Sequence, residues 1–190
     1  MKYDIKAGVL CPWTIHKDNL KVLMIRRSFW NKEKDRPMTF PGEWAFAGGK
    51  YDDSDKDLVE TAVREFREEL GYKGYIENIE FIRKVSDDFY GKNHYVEFYS
   101  ANVDPRSYFS YEFGREIVDN MWVKPRDAIS YIQSEGFEQE QEYMIKKCGL
   151  NKPEYGKYAI DSRQKPEQTL ITLEYFVQNE KRYLGENNER

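Results

Sequence analysis

Cysteine and histidine are scarce in this chain, with two of each in 190 residues. Cys11 and Cys148 are too few for a disulfide framework, and no Cys/His grouping has the spacing of a zinc site. No apolar run approaches the roughly 18 residues needed to cross a bilayer. Met1-Lys2-Tyr3-Asp4 does not open a secretory signal. A reduced, cytoplasmic setting without a membrane partner is the expectation. An excess of positive charge is missing too: Lys and Arg number 30 against 34 Asp and Glu, leaving −4. That balance argues against a nucleic-acid partner, which a basic face would announce. Internal repeats and low-complexity tracts are also absent.

Aromatic residues are plentiful: four Trp, fifteen Tyr and eleven Phe, within a 39% hydrophobic total. A chain of this length and composition can bury one good core. One domain over 1–190 is therefore expected, with a core at about 4–134 and a helical extension at about 138–184. Residues 3–14 and 21–26 read as strands joined by a turn at His16-Lys17-Asp18-Asn19. Residues 28–43, with Pro37, Pro41 and Gly42, read as a loop long enough to carry function. Trp44-Ala45-Phe46 re-enters the core just before Gly48-Gly49, which reads as a glycine-rich turn. Strands are expected at 76–85 and 94–103 with a turn at 87–93, then an aromatic loop at 104–115 and a strand within 116–123. Helices are expected from Pro125 to about Ser134, over 138–148, and over 166–184 with Leu170, Leu173, Phe176 and Val177 inward. The pattern is α+β, or an α/β/α sandwich.

The stretch with most chemistry is Arg64-Glu65-Phe66-Arg67-Glu68-Glu69-Leu70-Gly71-Tyr72. Val59, Ala62, Val63, Phe66 and Leu70 fall on one stripe of a helix. Ser54, Asp55 and Asp57 are candidate N-terminal caps, and Gly71 is a natural terminator. Glu65, Glu68 and Glu69, at i, i+3 and i+4, project from a neighbouring side. Crowded carboxylates repel one another unless a cation sits among them, and hard divalent ions, Mg²⁺ above all, suit oxygen donors. A metal held there is placed to act on phosphates. The bland alternative is a solvated acidic face. Lys50, beside the glycines, is a candidate phosphate contact.

These residues resemble the Nudix box, G-x5-E-x7-R-E-U-x-E-E-x-G-U with U a bulky apolar residue. Arg64, Glu65, Phe66, Glu68, Glu69, Gly71 and Tyr72 match its second half throughout. The first half departs: six residues after Gly49 stands Asp55 in place of Glu, Arg64 follows one residue late, and Ala47 replaces the usual Pro. The resemblance covers roughly 4–134 and implies a mixed sheet between helices, with the box as loop–helix–loop. It implies Mg²⁺- or Mn²⁺-dependent hydrolysis of the pyrophosphate in a nucleoside diphosphate linked to another moiety, X. Glu65, Glu68, Glu69 and the carbonyl of Gly48 would be metal ligands. Arg64 would orient the carboxylates or pair with Asp55. The general base would be a box glutamate or a later acid among Glu112, Glu116 and Asp119, with Glu116 preferred.

For X the sequence offers less. Residues 41–52, the longer loop with Asp55, Thr61-Ala62 and Arg27-Ser28 resemble the coenzyme A pyrophosphatases of this superfamily. Arg27 is on that ground a candidate substrate contact. ADP-ribose or a nucleotide sugar, a dinucleoside polyphosphate and a nucleoside triphosphate are the alternatives. So is a non-catalytic nucleotide sensor, although such proteins typically lose box carboxylates. RNA decapping would want a basic channel, for which only Lys17, Lys21, Arg26 and Arg27 offer a local patch. Phe29, Trp30, Phe89, Tyr90, Tyr108, Phe109 and Tyr111 are candidates to stack on a base. Nudix domains are often dimers, and the aromatic C-terminal region could serve a homodimer interface.

Overall fold

The structure, a computed structural model, describes residues 3–89, 91–107, 109, 116–158 and 166–186. In chain order the elements are β1 (Ile5–His16), β2 (Asn19–Arg27), β3 (Trp30–Asn31), β4 (Arg36–Pro37), β5 (Trp44–Ala45), β6 (Ala47–Lys50) and α1 (Leu58–Leu70). There follow β7 (Ile76–Phe89), β8 (Lys92–Val103), β9 (Ile117–Val123), α2 (Pro125–Ile132), α3 (Glu135–Lys147), a 3₁₀ turn (Pro153–Tyr158), α4 (Glu167–Gln178) and α5 (Glu180–Tyr183). They fall into two compact units: the described residues of Met1–His16 with Phe46–Tyr111, and those of Lys17–Ala45 with Glu112–Arg190.

The first unit is a mixed sheet carrying one helix. β1 runs parallel to β8 with Gly8 opposite Glu97, and antiparallel to β6 with Gly8 opposite Gly49 and Val9 opposite Gly48. β7 pairs antiparallel with β8 through two irregular registers. α1 lies on β1 and β6. Its N-cap is Asp57, whose carboxylate accepts from Glu60 N at 2.9 Å, and it ends on Gly71 at φ 59°. Ala62, Phe66 and Leu70 are buried as the periodicity predicts, joined by Thr61, while Val59 and Val63 are half-buried. The Phe66 and Tyr72 rings meet at 5.2 Å, and Tyr72 meets Phe109 at 5.0 Å.

In the second unit β2 pairs antiparallel with β5 and β9, and the helices α2 and α4 pack together. Arg26, almost buried, ties this unit to itself. Its guanidinium donates to Gly42 O at 3.2 Å, Glu140 Oε1 at 2.6 Å and Gln141 Oε1 at 3.0 Å, so α3 is fastened to β2 and to the loop after β4.

Several expectations change. Gly48-Gly49 is not a turn but the middle of β6, because these glycines serve close approach and not a reversed backbone. The 28–43 loop contains a two-residue pairing of β3 with β4. The hairpin expected at 87–93 is tighter, since β7 runs to Phe89 and β8 starts at Lys92. α3 begins three residues early, where Ser134 Oγ accepts from Phe137 N. The terminal helix breaks at Asn179, and its inward face is Thr169, Thr172, Leu173 and Phe176, with Leu170 and Val177 only half-buried. Most of the 104–115 loop, including Glu112, Tyr108 and Tyr111, lies outside the described residues, as does Tyr90.

Candidate functional site

Three glycines allow close approach here, Gly8 and Gly49 to α1 and Gly48 to β1. A Cβ on Gly8 would stand 2.2 Å from Leu58 O, and one on Gly48 would stand 2.5 Å from Gly8 O. On Gly49 a Cβ would meet the Glu65 carboxylate at 2.4 Å. Real Cβ atoms do not tolerate such approaches to backbone, so positions 8 and 48 admit only hydrogen, whereas a Cβ at 49 would displace the Glu65 carboxylate. The result is that Glu65 rests on Gly49 while Glu69 Oε2 accepts from Gly48 N at 3.3 Å.

Arg64 gathers the rest. Nε donates to Asp55 Oδ1 at 2.8 Å and Nη2 to Asp55 Oδ2 at 2.9 Å. Nη1 donates to Glu65 Oε1 at 2.9 Å and Glu68 Oε2 at 3.1 Å, and Nη2 also to Lys50 O at 3.1 Å. A guanidinium has five N–H donors in a fixed fork, and every one is used here. Arg64 both orients carboxylates and pairs with Asp55. Its i,i+4 ion pair with Glu68 is one branch of that hub.

Asp55 is buried and accepts further bonds from Thr61 Oγ1 at 2.8 Å and Asp52 N at 3.1 Å. The hydrogen bonds from Arg64 come first among the causes that hold its carboxyl well below the usual carboxylate range, against the opposing effect of burial. The same pair raises the Arg64 guanidinium further above its already high value. Asp55, standing where the resemblance implies a Glu, reaches the arginine from the loop before α1. Tyr51 OH donates to Asp55 O at 2.8 Å and closes the loop.

The first unit therefore brings together Gly48, Lys50, Arg64, Glu65, Glu68 and Glu69. Among the described residues no three Asp, Glu, His or Cys side chains are gathered closely enough to hold a metal ion. The three glutamates are spread over N–H donors of Arg64 and Gly48. Their chemistry nevertheless fits a hard divalent cation: three carboxylates on one helix, beside a glycine backbone with no Cβ in the way. Glu68 is the most open of them, its side chain 61% exposed.

Arg27 and Glu116 belong to the second unit. Arg27 Nε donates to Thr39 O at 3.1 Å, and Ser28 N to Glu116 O at 2.8 Å. Asn31 Nδ2 lies 3.5 Å from Glu116 Oε1. Asp119 faces Arg26 across the β2–β9 pairing. Of the aromatic candidates, Phe29 is buried against Ile145 and Leu150, Trp30 packs on Tyr155, and Phe109 packs on Tyr72.

The sequence reading missed Gly8, Thr61 as an Asp55 donor, and Glu43. Glu43 adjoins Arg27, whose N donates to Glu43 O at 2.9 Å, and burial pushes its carboxyl up to about 7, with Arg27 opposing. A glycine in mid-strand is a signal that could have exposed Gly8. Nothing in the sequence marks Glu43 as half-buried.

Comparison with known proteins gives three findings. The model of the NUDIX domain family matches residues 5–148. Nucleoside triphosphatase NudI of Escherichia coli O81 is 30% identical over 135 residues, covering 65% of this chain and 85% of its own. Among solved structures, the NUDIX domain of Shewanella oneidensis NrtR complexed with ADP ribose aligns over 68% of this chain and 78% of its own, at 21% identity and a TM-score of 0.52. A NUDIX hydrolase from Alicyclobacillus acidocaldarius aligns over 72% and 86%, at 18% identity and 0.55. The structural likenesses establish the fold.

Proposed function

The chain belongs to the NUDIX domain family of pyrophosphohydrolases, and from that premise we propose that it hydrolyses the pyrophosphate bond of a nucleoside diphosphate derivative with the acidic face of α1. The observation that carries this reading is the Arg64 hub, which uses all its donors to arrange Asp55, Glu65, Glu68 and the Lys50 carbonyl around Gly48-Gly49.

Glu65, Glu68, Glu69 and the Gly48 carbonyl would hold Mg²⁺ or Mn²⁺. When bound, such an ion neutralises phosphate charge and lowers the pKa of a water molecule. The chain's own residues set the geometry. Asp55 fixes the Arg64 plane, and Arg64 fixes Glu65 and Glu68. Gly49 and Gly48 seat Glu65 and Glu69 at the edge of β6. Lys50, exposed at the strand end, would meet a phosphate. The roles of Glu116 as general base and Arg27 as substrate contact rest on the sequence resemblance alone.

The likeness to NudI supports a nucleoside triphosphate as substrate. The sequence of residues 41–52 supports coenzyme A or a related conjugate. The purified chain with Mg²⁺ or Mn²⁺, offered nucleoside triphosphates, coenzyme A, ADP-ribose, NADH, diadenosine polyphosphates and capped RNA, decides between them. Release of pyrophosphate from a triphosphate supports the first, and 3′-phospho-AMP from coenzyme A the second. No turnover on the whole panel would overturn hydrolysis and favour a nucleotide sensor.

A further inference from the structure

The first unit carries a concavity of about 810 Å³ whose lining includes Tyr3, Lys6, Tyr51, Lys56, Tyr95 and Glu97. Its size suits a small molecule. It opens over β8 and the first turn of α1, whereas Glu65 and Glu69 lie over β6.

The charges in this cleft are unequally committed. Glu97 Oε1 accepts from Tyr95 OH at 2.6 Å, and its other oxygen accepts from Tyr99 OH. Asp57 Oδ1 is taken by the helix cap at Glu60 N. Among the described residues, by contrast, neither the Lys6 nor the Lys56 ammonium has a carboxylate partner. Glu97 and Asp57 keep their negative charge and balance the two lysines over the cleft as a whole, so what it offers an anion is local: two ammonium groups with no carboxylate within ion-pair reach.

The aromatic walls add a second requirement. Tyr51 is 37% exposed, yet it is held at both ends, its OH on Asp55 O at 2.8 Å and its N on Lys6 O at 2.9 Å. The Tyr3 and Tyr95 rings pack at 4.8 Å. Rings already fixed lose little freedom when a flat ligand lies on them. Glu97 keeps spare lone pairs beside its two tyrosine donors and can accept from an amino group.

We propose that this cleft binds a nucleoside monophosphate, its phosphate on Lys6 and Lys56, its base against Tyr51, and the exocyclic amine of the base on Glu97. The site is separate from the acidic face of α1 and needs no metal. It does not depend on the hydrolytic reading. It does touch that machinery, because Tyr51 bonds Asp55, which holds Arg64.

The test is isothermal titration of the full chain with AMP in EDTA, alongside adenosine and inorganic phosphate. One AMP site is expected, weakened at least about tenfold in Lys6→Ala/Lys56→Ala and in Tyr51→Leu. The same site is expected unchanged in Glu68→Gln/Glu69→Gln, and adenosine and phosphate should each bind more weakly than AMP. Thermal midpoints equal to the parent's show that the lysine variants are folded. No binding up to about 5 mM AMP, phosphate binding as tight as AMP, or loss of binding in the glutamate pair with retention in the lysine pair would each overturn the proposal. Absence of turnover on the substrate panel leaves this measurement intact, so the two readings fail separately.

Discussion

Arg64 and Asp55 face each other through two near-parallel hydrogen bonds, of 2.8 and 2.9 Å, across nine residues of sequence. Such forked pairing fixes a plane as well as a distance. The plane matters because the other edge of the guanidinium holds Glu65 and Glu68. Lysine could keep the charge at position 64 but not this geometry. Arg64→Lys and Asp55→Asn should each lower kcat/KM by about 10- to 100-fold, the usual cost of losing a partner that orients ligands. Steady-state kinetics over a metal titration will show it, and undiminished activity in both variants would remove Arg64 from the site.

The same pair sets an acid dependence. Asp55 is held below its ordinary pKa of 3.8 in the folded chain. Its contribution to stability is therefore present above that value and lost as pH falls through the depressed folded pKa. Denaturant unfolding followed from pH 6 down to about pH 2 should fall less steeply at the acid end for Asp55→Asn than for the parent. Parallel curves would show that the buried carboxylate is not ionised as its partners imply.

Glu68 is open to solvent and, among the described residues, bonds through its side chain to Arg64 alone, whereas Glu65 is wedged on Gly49. Truncating charge at Glu68 should spare the fold and cost the chemistry. Glu68→Gln is expected to lower metal-dependent turnover by about 10²-fold or more with a thermal midpoint within a degree or two of the parent. EDTA should abolish parental turnover and Mg²⁺ restore it. Near-normal activity in Glu68→Gln and in Glu69→Gln would overturn the assignment of this face.

Much of this arrangement is legible in the sequence, and for physical reasons. The helical stripe of Phe66 and Leu70 and the terminator Gly71 are local signals, so α1 ends where its residues say. Arg64, Glu65, Glu68 and Glu69 lie within two successive turns of α1, so their neighbourhood follows from the helix itself. What escaped depends on contacts distant in sequence. Gly48-Gly49 reads as a turn until β1 is seen paired beside it. Gly8 matters only because Leu58 O passes over it. Glu43 owes its raised pKa to burial, which a sequence does not display.

The glycines offer a test that separates packing from chemistry. Gly8→Ala sets a methyl against the α1 backbone, which cannot yield locally, so it should destabilise by about 1–3 kcal/mol and lower the unfolding midpoint. Gly49→Ala meets a side chain able to rotate away, so it should cost less stability but displace Glu65 and lower turnover. Urea unfolding and kinetics on the two variants should therefore rank in opposite orders. The same ranking in both would mean that Gly49 serves packing alone.

Glu43 gives the last expectation, with the opposite sign from Asp55. Its carboxyl is raised from 4.5 to about 7, chiefly by burial. The folded chain then holds a proton that the unfolded chain releases, so stability falls as pH rises from about 4.5 to about 7 and levels off above. At full effect the difference is on the order of 3 kcal/mol. Glu43→Gln keeps the shape and removes the titration. Its stability should stay flat across that window and exceed the parent's near pH 8, as urea midpoints at several pH values will read. A parent profile that is flat between pH 5 and pH 8 would mean that Glu43 is ionised and that Arg27 outweighs burial.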